Sequence, residues 1–239
     1  MKIFNQRFMP LKASSLLMLF VIVLFSSSFS QTKAEKIDEL IGLFAEYGSF
    51  NGSILVAEKG EIIYKKGFGF ANMEWDIPNQ ADTKHRLASV SKQFTAMIVM
   101  QLVAKGELDL DQPISTYLAD YPKAKAERIN LHHLLTHSSG TPNYTSFPHY
   151  REMMREPVRP SELVAMFADS SLNFTPGERF DYSNSGYVLL GYIIEQRTGK
   201  AYEEVLQEMI LDPLGMTNTG FDQNSEVLAK RAEGYFKQG

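Results

Sequence analysis

The sequence predicts an α/β protein of the α+β kind, on two observations. A β-rich stretch folds back on itself near the start of the chain, and from Asp82 onward the texture is helical. Bulk properties allow such a domain a real core: 239 residues, 44% hydrophobic and 22% charged. A formal net charge of −4 leaves no basic footprint for nucleic acid, and no long run of one sign suggests a binding tail.

The first thirty residues stand apart from the fold. Lys2, Arg7 and Lys12 form a positive leader, followed by the apolar run Leu16 to Phe25 and small residues at Ser26, Ser27, Ser28 and Ser30. This is the layout of a secretory signal peptide over residues 1–30, with cleavage expected after Ser30 and one domain over residues 31–239. The run is shorter than the roughly 20 residues of a membrane span, so an uncleaved anchor is the lesser alternative. The chain has no cysteine. Disulfides therefore do not follow export, and the cysteine that anchors a lipoprotein is missing. The expected destination is the periplasm or the exterior, with no membrane contact beyond the leader.

Within the domain, Ile37, Leu40, Ile41 and Phe44 recur at helical spacing and predict a helix over Glu35 to Tyr47, stopped at Gly48. Ser53 to Ala57 and Glu61 to Phe70 flank Lys59-Gly60 and predict a hairpin. Ile54, Leu55 and Val56 are continuously apolar, so that strand is expected to be covered on both faces. Ser89 to Lys105 is apolar nearly all round and predicts a buried helix, ended by Lys105 and Gly106. Further helices are expected over Leu131 to Leu135, Ser161 to Phe167, Gly186 to Thr198 and Tyr202 to Ile210, with a turn at Pro176-Gly177. A lone hairpin is marginal in water. Almost nothing after Phe70 reads as a strand, so the rest of the sheet is expected from beyond Gly239 or from another chain.

Two short elements could carry chemistry. In Ser89-Val90-Ser91-Lys92 the i, i+3 spacing lets the Lys92 ammonium reach the Ser89 hydroxyl, which is a weak nucleophile until a base takes its proton. A helix N-terminus there also favours a developing oxyanion. The alternative is an N-cap serine beside a surface lysine, but a lysine on the first turn of an apolar helix is costly without a partner. In Tyr182-Ser183-Asn184 a phenol could relay a proton, and an asparagine amide could hold a substrate carbonyl or orient the lysine. The alternative is a loop in which Ser183 or Asn184 caps the next helix.

The combination of S-x-x-K with a second serine-containing triplet is that of β-lactamases and penicillin-binding proteins. The chain resembles the branch with tyrosine in the second element: class C β-lactamases, D-alanyl-D-alanine carboxypeptidases and related esterases. HRLASVSKQFTA from His85, LHHLLTHSSGTPNY from Leu131, TPGERFDYSNSGYVLLGYIIE from Thr175 and LDPLGMTNTGF from Leu211 carry the likeness in the family's order. It implies a β-lactamase/transpeptidase-like fold: an antiparallel sheet flanked by helices plus a helical domain, here with the C-terminal sheet strands missing. It also implies an acyl-enzyme on Ser89, acid–base duty shared by Lys92 and Tyr182, and Asn184 positioning Lys92 or binding substrate. The Ser89 N–H would be half of the oxyanion hole. The other half and the family's third element lie on a later strand, and no counterpart is found here. Arg197-Thr198-Gly199 looks like that element but reads as a helix end.

Other patterns carry less. His133 and His137 have zinc-ligand spacing, but Leu134 stands where H-E-x-x-H needs glutamate, so structural histidines are expected. Gly67-Phe68-Gly69 lacks the third glycine of a nucleotide loop and reads as a strand end or bulge. No G-x-S-x-G elbow is present, and no glutamate suggests a class A deacylating base. No cofactor is expected. The leading reading is an exported serine hydrolase acting on a small-molecule or peptide substrate: a β-lactam, a D-amino-acid peptide or a small ester. The competing reading is an inactive fragment, or a penicillin-binding module that takes an acyl group without hydrolysing it. If the chain truly ends at Gly239, negligible hydrolysis is expected, because half the oxyanion hole and the sheet are lost, and one oxyanion donor alone is worth on the order of 100- to 1000-fold.

Overall fold

The computed structural model describes residues 31–148, 150–153, 158–223 and 226–235. The expected leader lies outside the described residues. Two units divide the chain: residues 31–85 with the returning segment from 228, and residues 86–227. Among the described residues no helix is long and apolar enough to cross a membrane.

The first unit opens with helix α1 (Lys33–Glu46). Thr32 caps it reciprocally with Glu35, each side chain bonding the other's backbone N–H. Strands β1 (Gly52–Glu58) and β2 (Glu61–Phe68) pair antiparallel around Lys59 and Gly60. Both turn residues have positive φ, 52° and 86°, which matches the right-handed twist of the strands they join. Helix α1 packs on β2, where Asp38 accepts hydrogen bonds from Tyr64 Oη (2.5 Å) and Lys66 Nζ (2.6 Å).

The expected double cover of β1 is not what is found. Ile54 and Val56 are half-buried, whereas Leu55 is 57% exposed. Side chains alternate across a pleat, and a two-stranded sheet with one helix covers one face. The long second strand also breaks. Gly69 takes φ +67°, and a Cβ there would meet Asn51 Oδ1 at 2.1 Å, so β2 ends and a short pair begins, β3 (Phe70–Asn72) with β4 (Ile77–Pro78). Strands this short leave no periodicity to read. The segment from Leu228 returns to this unit, where Lys84 N–H donates to Lys230 O and Ala232 N–H to Lys84 O, both at 2.9 Å.

The second unit is helical. Helix α2 (Lys92–Ala104) is preceded by a 3-10 turn, Ala88–Ser91, so the predicted continuous helix from Ser89 starts one element later. Its expected all-round burial is also corrected. Thr95, Ile98, Val99 and Leu102 are buried, but Met97 is 53% exposed, because neighbouring helices cover one side only. Short helices α3 (Lys123–Ala126), α4 (Leu131–Leu135) and α5 (Tyr150–Met153) follow, then α6 (Pro160–Ala168), α7 (Asn184–Thr198) and α8 (Tyr202–Leu206). Helix α7 is central, packed on α2, α4, α6 and α8. Its Leu189, Leu190, Ile193 and Ile194 meet Phe167, Leu131, Leu134 and Ile98 in one core. Gly199 ends it at φ 68°, its N–H bonded to Glu195 O, as a C-cap should. Past Leu206 the expected helix widens into a π turn, Gln207–Leu211, which buries both Ile210 and Leu211.

Candidate active site

Ser89 sits in the 3-10 turn that leads into α2. Ala88 before it is held at φ +46°, an unusual angle for a residue with a Cβ, and Ser91 Oγ ties the turn by donating to Ala88 O at 2.7 Å. The turn leaves the Ser89 side chain exposed at the head of the helix. Three residues later Lys92 turns back, its Nζ 3.4 Å from Ser89 Oγ.

The second element arrives from the loop ahead of α7. Tyr182 Oη donates a 2.7 Å hydrogen bond to Ser89 Oγ. Lys92 Nζ donates to Asn184 Oδ1 at 2.7 Å and lies 4.9 Å from the Tyr182 ring centre and 5.5 Å from that of Tyr187. All four residues singled out in the sequence therefore meet at one place. The half-buried ammonium is compensated by an amide oxygen and two aromatic faces. Lys92, and then the Ser89 hydroxyl, hold the Tyr182 phenol below its ordinary value of 10.0.

Within the chain, Asn184 contacts Lys92 on one side and Asn143 and Thr145 on the other. Its Nδ2 is engaged on the far side, donating to Asn143 Oδ1 and Thr145 Oγ1, each at 3.3 Å, and its N–H donates to Asn143 Oδ1 at 3.1 Å. These bonds fix the amide with its oxygen toward the lysine. Capping does not account for the triplet, because Ser183 is the N-cap of α7 yet makes no side-chain cap bond. Asn143 and Thr145 were not singled out in the sequence. Asn143 lies in the LHHLLTHSSGTPNY segment, but nothing local marks it as a partner of Asn184.

The histidines part ways. His133 closes a capping box at α4: its Nδ1 accepts from Asn130 N–H at 3.3 Å and its own N–H donates to Asn130 Oδ1 at 2.8 Å. His137 lies beyond the C-cap Thr136 at φ +57°, off the helix that would have put both rings on one face. Arg197-Thr198-Gly199 is a helix end, as its glycine predicts.

Known proteins resemble this chain along most of its length. The sequence profile of the family described as Beta-lactamase matches residues 34–239. The putative penicillin-binding protein PbpX of Bacillus subtilis (strain 168) is 31% identical over 212 residues, 89% of this chain and 52% of that protein. The octameric penicillin-binding protein homologue from Pyrococcus abyssi superposes with a TM-score of 0.71 at 35% identity, covering 86% of this chain and 48% of that one. EstCE1, a hydrolase with promiscuous acyltransferase activity, reaches 0.74 at 26% identity, over 86% and 57%. The chain spans about half the length of the curated relatives it matches. By sequence and by fold, it belongs to the Beta-lactamase family of serine hydrolases and has the β-lactamase/transpeptidase-like fold.

Proposed function

We propose that this chain carries the acylating centre of an exported serine hydrolase. One observation carries the reading: Tyr182 Oη lies 2.7 Å from Ser89 Oγ while Lys92 is held by Asn184 beside both. The Tyr182 phenolate takes the Ser89 proton as Oγ attacks the substrate carbonyl carbon. The Lys92 ammonium stabilises the phenolate, and the Ser89 N–H faces the oxyanion. Collapse breaks the bond to the leaving group, which receives the proton from Tyr182 and leaves Ser89 acylated. Water, deprotonated by Tyr182, then attacks the ester carbon; the bond from that carbon to Ser89 Oγ breaks, Oγ takes the proton back from Tyr182, and the acid leaves. The substrate class is a β-lactam, a D-amino-acid peptide or a small ester, reached by export through the leader at residues 1–30.

Labelling with a fluorophosphonate or penicillin probe tests this. Peptide mass spectrometry is expected to find the adduct on Ser89, and Ser89→Ala is expected to take up none. An adduct on Ser91, or labelling that survives Ser89→Ala, overturns the assignment.

A further inference from the structure

We propose that His137 is a positioning residue for Tyr182, gripping the tyrosine from both flanks of its backbone and from its ring face. The inference rests on the acylation reading above and extends it to a residue that neither the spacing of the motifs nor the catalytic chemistry calls for. Three contacts of His137 converge on the tyrosine and its two chain neighbours. The His137 carbonyl accepts from Asp181 N–H at 2.8 Å, and His137 Nδ1 accepts from Ser183 N–H at 3.3 Å. The amides on either side of Tyr182 are therefore held by a single residue. The imidazole also lies against the Tyr182 ring, with centroids 4.4 Å apart and planes tilted by 37°.

Two more rings flank the half-buried imidazole. Tyr187 from α7 lies at 5.1 Å and Phe180 meets the ring edge-on at 5.8 Å. A backbone N–H can only donate, so Nδ1 carries the lone pair and the neutral ring holds its proton on Nε2. Burial, then the charge of Lys92, push the imidazole below its ordinary value, which keeps that acceptor available. The backbone is bent to permit the grip. At φ +57° His137 turns its carbonyl and ring toward the tyrosine loop, and such an angle in a residue other than glycine needs surrounding contacts to hold it. The next residues continue the same seam: Ser138 O accepts from Gly177 N–H and Gly140 O from Asn173 N–H, each at 2.8 Å. Only the His137 rung reaches the residue that touches Ser89.

Two readouts on the full chain test the grip. The first follows the Tyr182 phenol by 13C NMR of ring-labelled tyrosine, assigned with Tyr182→Phe. The second follows the rate of Ser89 labelling by the fluorophosphonate probe. In His137→Ala the Tyr182 titration is expected to move up toward 10, and labelling to slow by about 10- to 100-fold, the scale of a misplaced catalytic group. His137→Asn tolerates the positive φ and puts an amide oxygen where Nδ1 stood, so it is expected to recover most of both. Should His137→Ala not fold by circular dichroism, His137→Phe replaces it, keeping a ring and removing the acceptor. Wild-type titration and labelling in the folded Ala or Phe variant overturn the proposal, as does a His137→Asn that recovers nothing. The titration reads the grip even if Ser89 takes up no probe, so failure of the acylation reading registers separately.

Discussion

Tyr182 Oη lies 2.7 Å from Ser89 Oγ, and in the proposed mechanism its protonation sets the direction of the first step. Its phenol is held below 10.0 by Lys92 and then by Ser89, so more of it is phenolate near neutrality than a free tyrosine would be. In the proposed mechanism the deprotonated form is the base. The acylation rate is therefore expected to rise with pH through a midpoint below 10 and then level off. Tyr182→Phe should abolish that rise and slow labelling by roughly 100- to 10,000-fold, the usual worth of a positioned base. A rise that persists in Tyr182→Phe would move the base role to Lys92. At this scale the sequence was only half legible. Ser89 and Lys92 are three apart on one turn, so their proximity follows from helix geometry. Tyr182 lies 93 residues from Ser89, and in the sequence only the family likeness joins the two. The tasks of Asn143 and Thr145 are tertiary contacts to Asn184, and no local pattern encodes them.

At the scale of elements, α7 links the core to the site. It starts at Asn184, which holds Lys92, and buries Leu189, Leu190, Ile193 and Ile194 below. Ile193→Ala removes a fully buried side chain and is expected to destabilise the helical unit by about 2–5 kcal/mol. Gly199→Ala probes a different cause. A Cβ there meets nothing within 4 Å, so the φ of 68° alone sets the cost, about 1 kcal/mol. Chemical denaturation followed by far-UV circular dichroism checks both, and a Gly199→Ala chain as stable as wild type would show that the helix end relaxes freely. Periodicity marks the longer helices, whereas the four-residue helices α3 and α5 are too short to show one. The 3-10 entry before α2, the π turn after α8 and the break at Gly69 leave no such mark, because each is a backbone response to packing.

On the scale of the molecule, the two units differ in how much apolar surface they bury. The helical unit holds the continuous core, whereas α1 has no fully buried residue and Leu55 of β1 faces outward. Amide exchange is expected to be slower at Ile98, Val99, Leu189 and Ile193 than in β1 and β2, since protection follows buried contacts. Equal protection in the hairpin would contradict this. What the sequence determined by itself was local: where the main helices lie, the hairpin turn, and a serine and a lysine one turn apart. These follow from backbone geometry and hydrophobic period, which act over a few residues. Tertiary structure alone decided which side of α2 is covered, that the Asn184 amide points its oxygen at Lys92, and that His137 lies against Tyr182. Those are contacts between distant segments, and packing in three dimensions sets them.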